Sequence, residues 1–89
     1  MANHKSAIKR AKQSEARRLR NRTRKTRMKN VIKSVEEAIA SKAPEAAQER
    51  LKEAISVIDR TAAKGVIHKN NAARKISRLS RRVSSAFAQ

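Results

Sequence analysis

The chain has 89 residues, a net charge of +17 at pH 7, no cysteine, one glycine, one proline and a single aromatic residue, Phe87. That length holds one small domain, and without cysteine there is neither a disulfide framework nor a thiolate metal site. A charge this far beyond what solubility requires points to a polyanionic partner, either nucleic acid or an anionic membrane surface.

The charge is unevenly placed. Residues 1–33 carry 13 Lys and Arg against one acid, residues 34–63 carry four against six, and residues 64–89 carry seven and no acid. Sixteen of the apolar residues are Ala, so the core is thin and the fold is expected to be completed by its partner. Residues 1–4 read as an unstructured start. From Ser6, a possible cap without the Glu or Gln of a capping box three residues on, a helix is predicted to about residue 41. Its first half, KSAIKRAKQSEARRLRNRTRKTR, has no Gly or Pro, and between Lys9 and Arg27 its only apolar residues are Ala11, Ala16 and Leu19. Such a helix lacks the three-four apolar stripe that would hold it to its own protein. It therefore projects and offers a dense positive surface; the bland alternative is a solvated, disordered tail. The second half carries the stripe: Met28, Val31, Ile32, Val35, Ala38 and Ile39 share one face.

Pro44 breaks the run and suits the first turn of a second helix, with Glu45 placed at its positive end. The stripe of this helix is Ala47, Leu51, Ala54, Ile55, Ile58 and Ala62. Gly65 follows the last periodic residue, the position at which a left-handed helix stop is commonest, and acts as a hinge with Val66 and Ile67. The third helix opens at His68 or Lys69. Its stripe is Ala72, Ile76, Leu79, Val83 and Ala86, with Phe87 alongside, and Arg74, Lys75, Arg78, Arg81 and Arg82 fall in an opposing arc of about 120° at 100° per residue. Short connections make the three helices antiparallel neighbours. The expected architecture is all-α: an antiparallel three-helix bundle with a long, projecting basic N-terminal helix. It forms a single domain over 1–89, with helices at about 6–41, 44–64 and 68–87.

Catalysis has little to work with. His4 and His68 lack any metal-ligand spacing, Glu36 and Glu37 diverge around the helix and are expected to face solvent near Lys33 and Lys42, and one glycine cannot make a phosphate-binding loop. No enzyme and no cofactor are expected. For His68, the capping or hinge role is set against direct contact with a phosphate. There is no apolar run long enough for a bilayer and no signal-peptide core. An Arg-rich, acid-poor start also describes an organelle transit peptide, but the basic character returns at the C-terminus, and the cytoplasm is the expected location. The basic half lacks the bulky apolar face of a membrane-surface helix. Without Tyr or Trp, base stacking of the kind used by aromatic RNA-binding sheets is excluded, which leaves Lys, Arg, Asn and hydroxyl groups to grip a folded backbone by shape. The segment NNAARKISR at residues 70–78 resembles a leucine-zipper basic region superficially. Its spacing is wrong on each side of the Ala pair and no heptads follow before Gln89. A histone-like DNA-binding architectural role stays open at this level.

One segment is more specific. Residues 59–74, DRTAAKGVIHKNNAAR, together with the opening ANHKSA, Lys9-Arg10, Asn21, Ile32-Lys33 and Ser77-Arg78-Leu79, resemble the bacterial small-subunit ribosomal protein S-twenty family over essentially the whole chain. The family more often has a basic residue where Asn71 stands and a polar or basic one where Ile76 stands. Lys69 and Arg74 are therefore the stronger contacts here, and Ile76 is assigned to the core. The resemblance implies a three-helix bundle with an extended first helix that binds 16S rRNA directly and early in assembly of the 30S subunit. The binding place is the 5′ region, near the base of the long penultimate helix. It also implies other small-subunit components as neighbours and no enzymatic activity; no homo-oligomer is expected. Combined with the charge pattern, the candidate rRNA-binding residues are Asn3, Lys5, Ser6, Lys9, Arg10, Lys12, Arg17, Arg18, Arg20, Asn21, Arg22, Arg24, Lys25, Arg27 and Lys29 in the first helix. Lys64, His68, Lys69, Asn70, Arg74, Lys75, Arg78, Arg81 and Arg82 follow in the rest of the chain, with Gly65 as the structural hinge.

Overall fold

Nothing between residues 2 and 40 interrupts a helix, and none is interrupted. The computed structural model describes residues 2–87, with side chains from Ser6 onward. It consists of α1 (Ala2–Ala40), α2 (Pro44–Ala63) and α3 (Lys69–Ala86). The expected unstructured start at residues 1–4 is corrected: the backbone is helical from Ala2, because residues 2–5 contain neither Pro nor Gly. Ser6 lies inside the helix and caps nothing. Met1 lies outside the described residues, as do the side chains of Asn3 and Lys5.

Both breaks are made by the same device. After α2, the Gly65 N–H donates to the Ala62 carbonyl (2.9 Å) and the Val66 N–H to the Thr61 carbonyl (3.1 Å), with Gly65 at φ 76°. After α1, the Lys42 N–H donates to the Ile39 carbonyl and the Ala43 N–H to the Ala38 carbonyl, both at 3.0 Å. These are two Schellman closures. In the second the left-handed residue is Lys42, at φ 54°. Pro44 forces Ala43 out of the α region (φ −108°, ψ 87°), so the reversal falls one residue earlier, on a side chain that has to tolerate it.

α2 lies between α1 and α3 and antiparallel to both, while α1 and α3 touch more sparingly. One core layer joins Val35 and Ala38 of α1, Ala47 and Ala54 of α2, and Leu79 and Val83 of α3. A second joins Met28, Val57, Ile58 and Ala72. Val31 and Ile32 pack against both layers, and truncating fully buried Ile58 to Ala is expected to cost about 2–5 kcal/mol. The predicted stripes of α1 and α2 line this core except for Ile55, which is half-buried and outside both layers; two buried residues the stripes omitted, Val57 and Thr61, take part in the buried face. Thr61 is satisfied locally: its hydroxyl donates to the Val57 carbonyl at 2.7 Å. In α3, Ile76 is half-buried against the second layer, but Ala86 is exposed, because the packing closes with Phe87 on the first layer. Arg50 is spent inside the fold, donating from Nη1 to the Ser34 carbonyl at 3.0 Å and tying α2 to α1.

The bundle holds α1 only from about Asn21 onward. Every residue from Ser6 to Arg20 is exposed. At 1.5 Å per residue the 39-residue α1 is about 58 Å long. The molecule measures 69 × 22 × 14 Å, with a radius of gyration of 17.9 Å, against about 12 Å for a compact chain of this length.

Candidate nucleic-acid interface

The face of α1 that meets the bundle does not end with the bundle. Going toward the N-terminus from buried Met28, the same 60° or so of arc passes through Arg24, Asn21, Arg17 and Arg10. Where the apolar stripe stops, a cationic one continues it. Arg24 and Asn21 are half-buried at the bundle's edge; Arg17 and Arg10 are exposed. Beside this line, Arg17, Arg18, Asn21, Arg22, Lys25 and Lys29 border one shallow groove along the helix. Ser6 is exposed further along the same arc, and Lys9, Lys12, Arg20 and Arg27 are exposed on the helix's other faces. The only acid on the projecting part is Glu15. Two hydroxyls bond back onto the helix, Thr23 Oγ1 donating to the Leu19 carbonyl and Thr26 Oγ1 to the Arg22 carbonyl, each at 3.0 Å.

The predicted basic row of α3 is divided by the fold. Arg74, Arg78 and Arg81 are exposed and belong to no ion pair among the described residues. Lys75 is half-buried at the margin of the core stripe. Arg82 Nη1 donates to Glu36 Oε1 of α1, the one ion pair among the described residues. The expected neighbours of Glu36, Lys33 and Lys42, are thus corrected: α3 brings an arginine to it. Glu37 acts through its carbonyl, which accepts from Ser41 Oγ and from the Ser41 N–H, both at 2.9 Å.

His68 is the N-cap of α3. With φ −71° and ψ 145° its backbone is extended, and its Nδ1 accepts from the Asn70 N–H at 3.1 Å, satisfying a helix-end donor as a capping side chain does. An accepting Nδ1 places the ring proton on Nε2, so the same imidazole can still donate outward. Lys64, Lys69 and Asn70 are exposed around it, and Gly65 supplies the reversal that sets α3 against α2. Sequence reasoning passed over Arg60, four residues before Lys64 on the exposed side of α2; like-charge spacing at i, i+4 was the signal available for it.

No described helix is long and apolar enough to cross a membrane. Among the described residues no group of three His, Cys, Asp or Glu side chains is placed to hold a metal ion. What the fold defines is a small all-α protein, a three-helix bundle whose first helix projects as an exposed polycationic surface. The chain belongs to the ribosomal protein S20 family, whose model matches residues 2–84. It is similar to the small ribosomal subunit protein bS20 of Syntrophobacter fumaroxidans, at 71% identity over 96% of this chain and 99% of the relative. The bS20 of Oleidesulfovibrio alaskensis is 61% identical over 93% and 95%, and that of Desulfotalea psychrophila 50% identical over 99% of both chains.

Proposed function

We propose that this chain is a structural constituent of the small ribosomal subunit, bound to the ribosome in the cytoplasm, and that it binds 16S rRNA directly through its basic helices as a single domain. The observation that carries this is the projecting half of α1: every residue from 6 to 20 is exposed, and eight of the residues from Lys9 to Arg24 are Lys or Arg. Phosphates supply what the protein withholds, and each one neutralised releases counterions. Arg74, Arg78 and Arg81 of α3 and the cluster at Lys64, His68, Lys69 and Asn70 provide further contacts, so that a folded RNA is gripped from more than one direction. The role is structural: the chain stabilises an RNA fold and performs no chemistry. Membership of the ribosomal protein S20 family supports this reading.

The test is equilibrium binding to a 16S rRNA fragment as a function of salt, with duplex DNA of equal length as competitor. A steep fall of affinity with salt and a clear preference for the rRNA fragment at physiological ionic strength are expected. Equal affinity for the two would move the assignment to a DNA-binding architectural protein.

A further inference from the structure

Where α1 leaves the bundle, it forms an inside corner with the C-terminal end of α2. Four cations line that corner, Arg24 and Arg27 from α1 and Arg60 and Lys64 from α2, around a shallow depression floored by Val57 and Thr61. None of the four makes a side-chain hydrogen bond or ion pair within the described part of the protein. The floor offers them little in exchange, since Val57 is apolar and buried and the Thr61 hydroxyl, which donates to the Val57 carbonyl, is buried as well. The fold thus gathers four like charges on two helices against an apolar surface, where their repulsion is screened less than in open water. Arg24 is itself half-buried in this arrangement.

We infer that this corner seats a phosphodiester segment of RNA, with its phosphates between the α1 and α2 cations and a sugar or base edge over Val57, and that Arg60 is a binding residue of the interface. The inference rests on the rRNA-binding reading and deepens it. It makes the RNA run along the cationic continuation of the α1 core face and stop against the end of α2, so the nucleic acid replaces α2 as the packing partner of α1 beyond the bundle. Two features favour a nucleic-acid strand over a small anion. The cations are spread over both walls instead of converging on one point, and the basic line continues out of the corner along Asn21 and Arg17.

The experiment compares the wild-type protein, the double variant Arg60→Gln/Lys64→Gln, and Arg78→Gln on α3, in two measurements: binding to a 16S rRNA fragment across a salt series, and thermal unfolding of the free protein. With a slope of about 0.9 per phosphate, the double variant is expected to flatten the log–log salt dependence by about 2 and to weaken binding about thirtyfold at 0.15 M salt. Its free melting temperature is expected to stay level or rise, because repulsion in the corner is relieved. A double variant with wild-type affinity and slope, in a series where Arg78→Gln still flattens the slope, would overturn the corner site and leave the rRNA reading standing. A wild-type chain that fails to bind the fragment would overturn both.

Discussion

Arg82 on α3 and Glu36 on α1, 46 residues apart in the chain, are joined by an ion pair, and this ties one of the five cations of the α3 row to the protein itself. Both side chains are about half exposed, 56% and 43%, so the pair itself stabilises the fold by only about 0.2–1 kcal/mol. Its larger effect is on what α3 can offer. Glu36→Gln is expected to lower the melting temperature slightly while raising affinity for a 16S rRNA fragment and steepening its salt dependence by up to about 1, as Arg82 is released. Weaker binding by Glu36→Gln would show that the pair positions Arg82 for RNA instead of withholding it.

The same division ranks the α3 arginines. Arg74, Arg78 and Arg81 are exposed and make no ion pair among the described residues, so each neutral variant is expected to flatten the salt slope by roughly 1, and the triple variant by about 3. Arg82→Gln is expected to change it less than any of the three. A triple variant that keeps the wild-type slope would remove α3 from the RNA-binding surface.

Two helix stops of the same geometry, one on Gly65 and one on Lys42, should respond in opposite directions. At Gly65 an added Cβ meets nothing within 4 Å, so the cost of a side chain there is the backbone's alone. Gly65→Val is expected to destabilise by about 1–2 kcal/mol or more, and to weaken RNA binding without removing a charge, because α3 loses its set against α2. Gly65→Asn is expected to cost less, since Asn tolerates the left-handed region. Lys42→Gly removes the corresponding strain and is expected to stabilise by up to about 1 kcal/mol. Denaturant titration of the three variants checks the order Lys42→Gly, wild type, Gly65→Asn, Gly65→Val.

His68 is asked to do two things with one ring. Through Nδ1 it caps α3; through Nε2 it can donate to a phosphate. His68→Ala is expected to lose about 1 kcal/mol of stability together with RNA affinity, whereas His68→Asn restores the cap and leaves the affinity reduced. Full recovery of affinity by Asn would confine His68 to the capping role.

The elements themselves were legible in the sequence because each rests on a local cause. The stripe from Met28 to Ile39 has helical spacing, Pro44 and Gly65 punctuate, and Ala72, Leu79 and Val83 repeat on one side of α3. The misses arise where a second helix decides. Val57 and Thr61 belong to the core only because the antiparallel placement of α2 turns that flank toward Met28. The partner of Glu36 comes from a segment 46 residues away. Lys42 takes the left-handed conformation because Pro44 pushes the reversal back past Ala43, and no signal at Lys42 itself announces it. Among the cations, Arg50 and Arg60 look alike in sequence on the same helix, yet one is spent on the Ser34 carbonyl and the other stands at the corner with α1.

Residues 6–20 of α1 present the last question, one of order. Fixing a backbone costs about 1–2 kcal/mol per residue, and every residue of this stretch is exposed, so no burial offsets that cost in the free protein. Like charges at i, i+4 (Arg18 with Arg22, Arg20 with Arg24) oppose the helix further. From Met28 the core layers hold the same helix firmly. When phosphates neutralise the arginines, the repulsion becomes attraction and the continuous helix from Ala2 is the favoured state. Amide hydrogen exchange by residue is therefore expected to show little protection for Arg17 to Arg24 in the free monomer, strong protection from Met28 onward, and protection throughout when the protein is bound to 16S rRNA. Strong protection of Arg17 to Arg24 without RNA would mean that the helix is stable by itself, and that binding recognises a rigid rod instead of completing a fold.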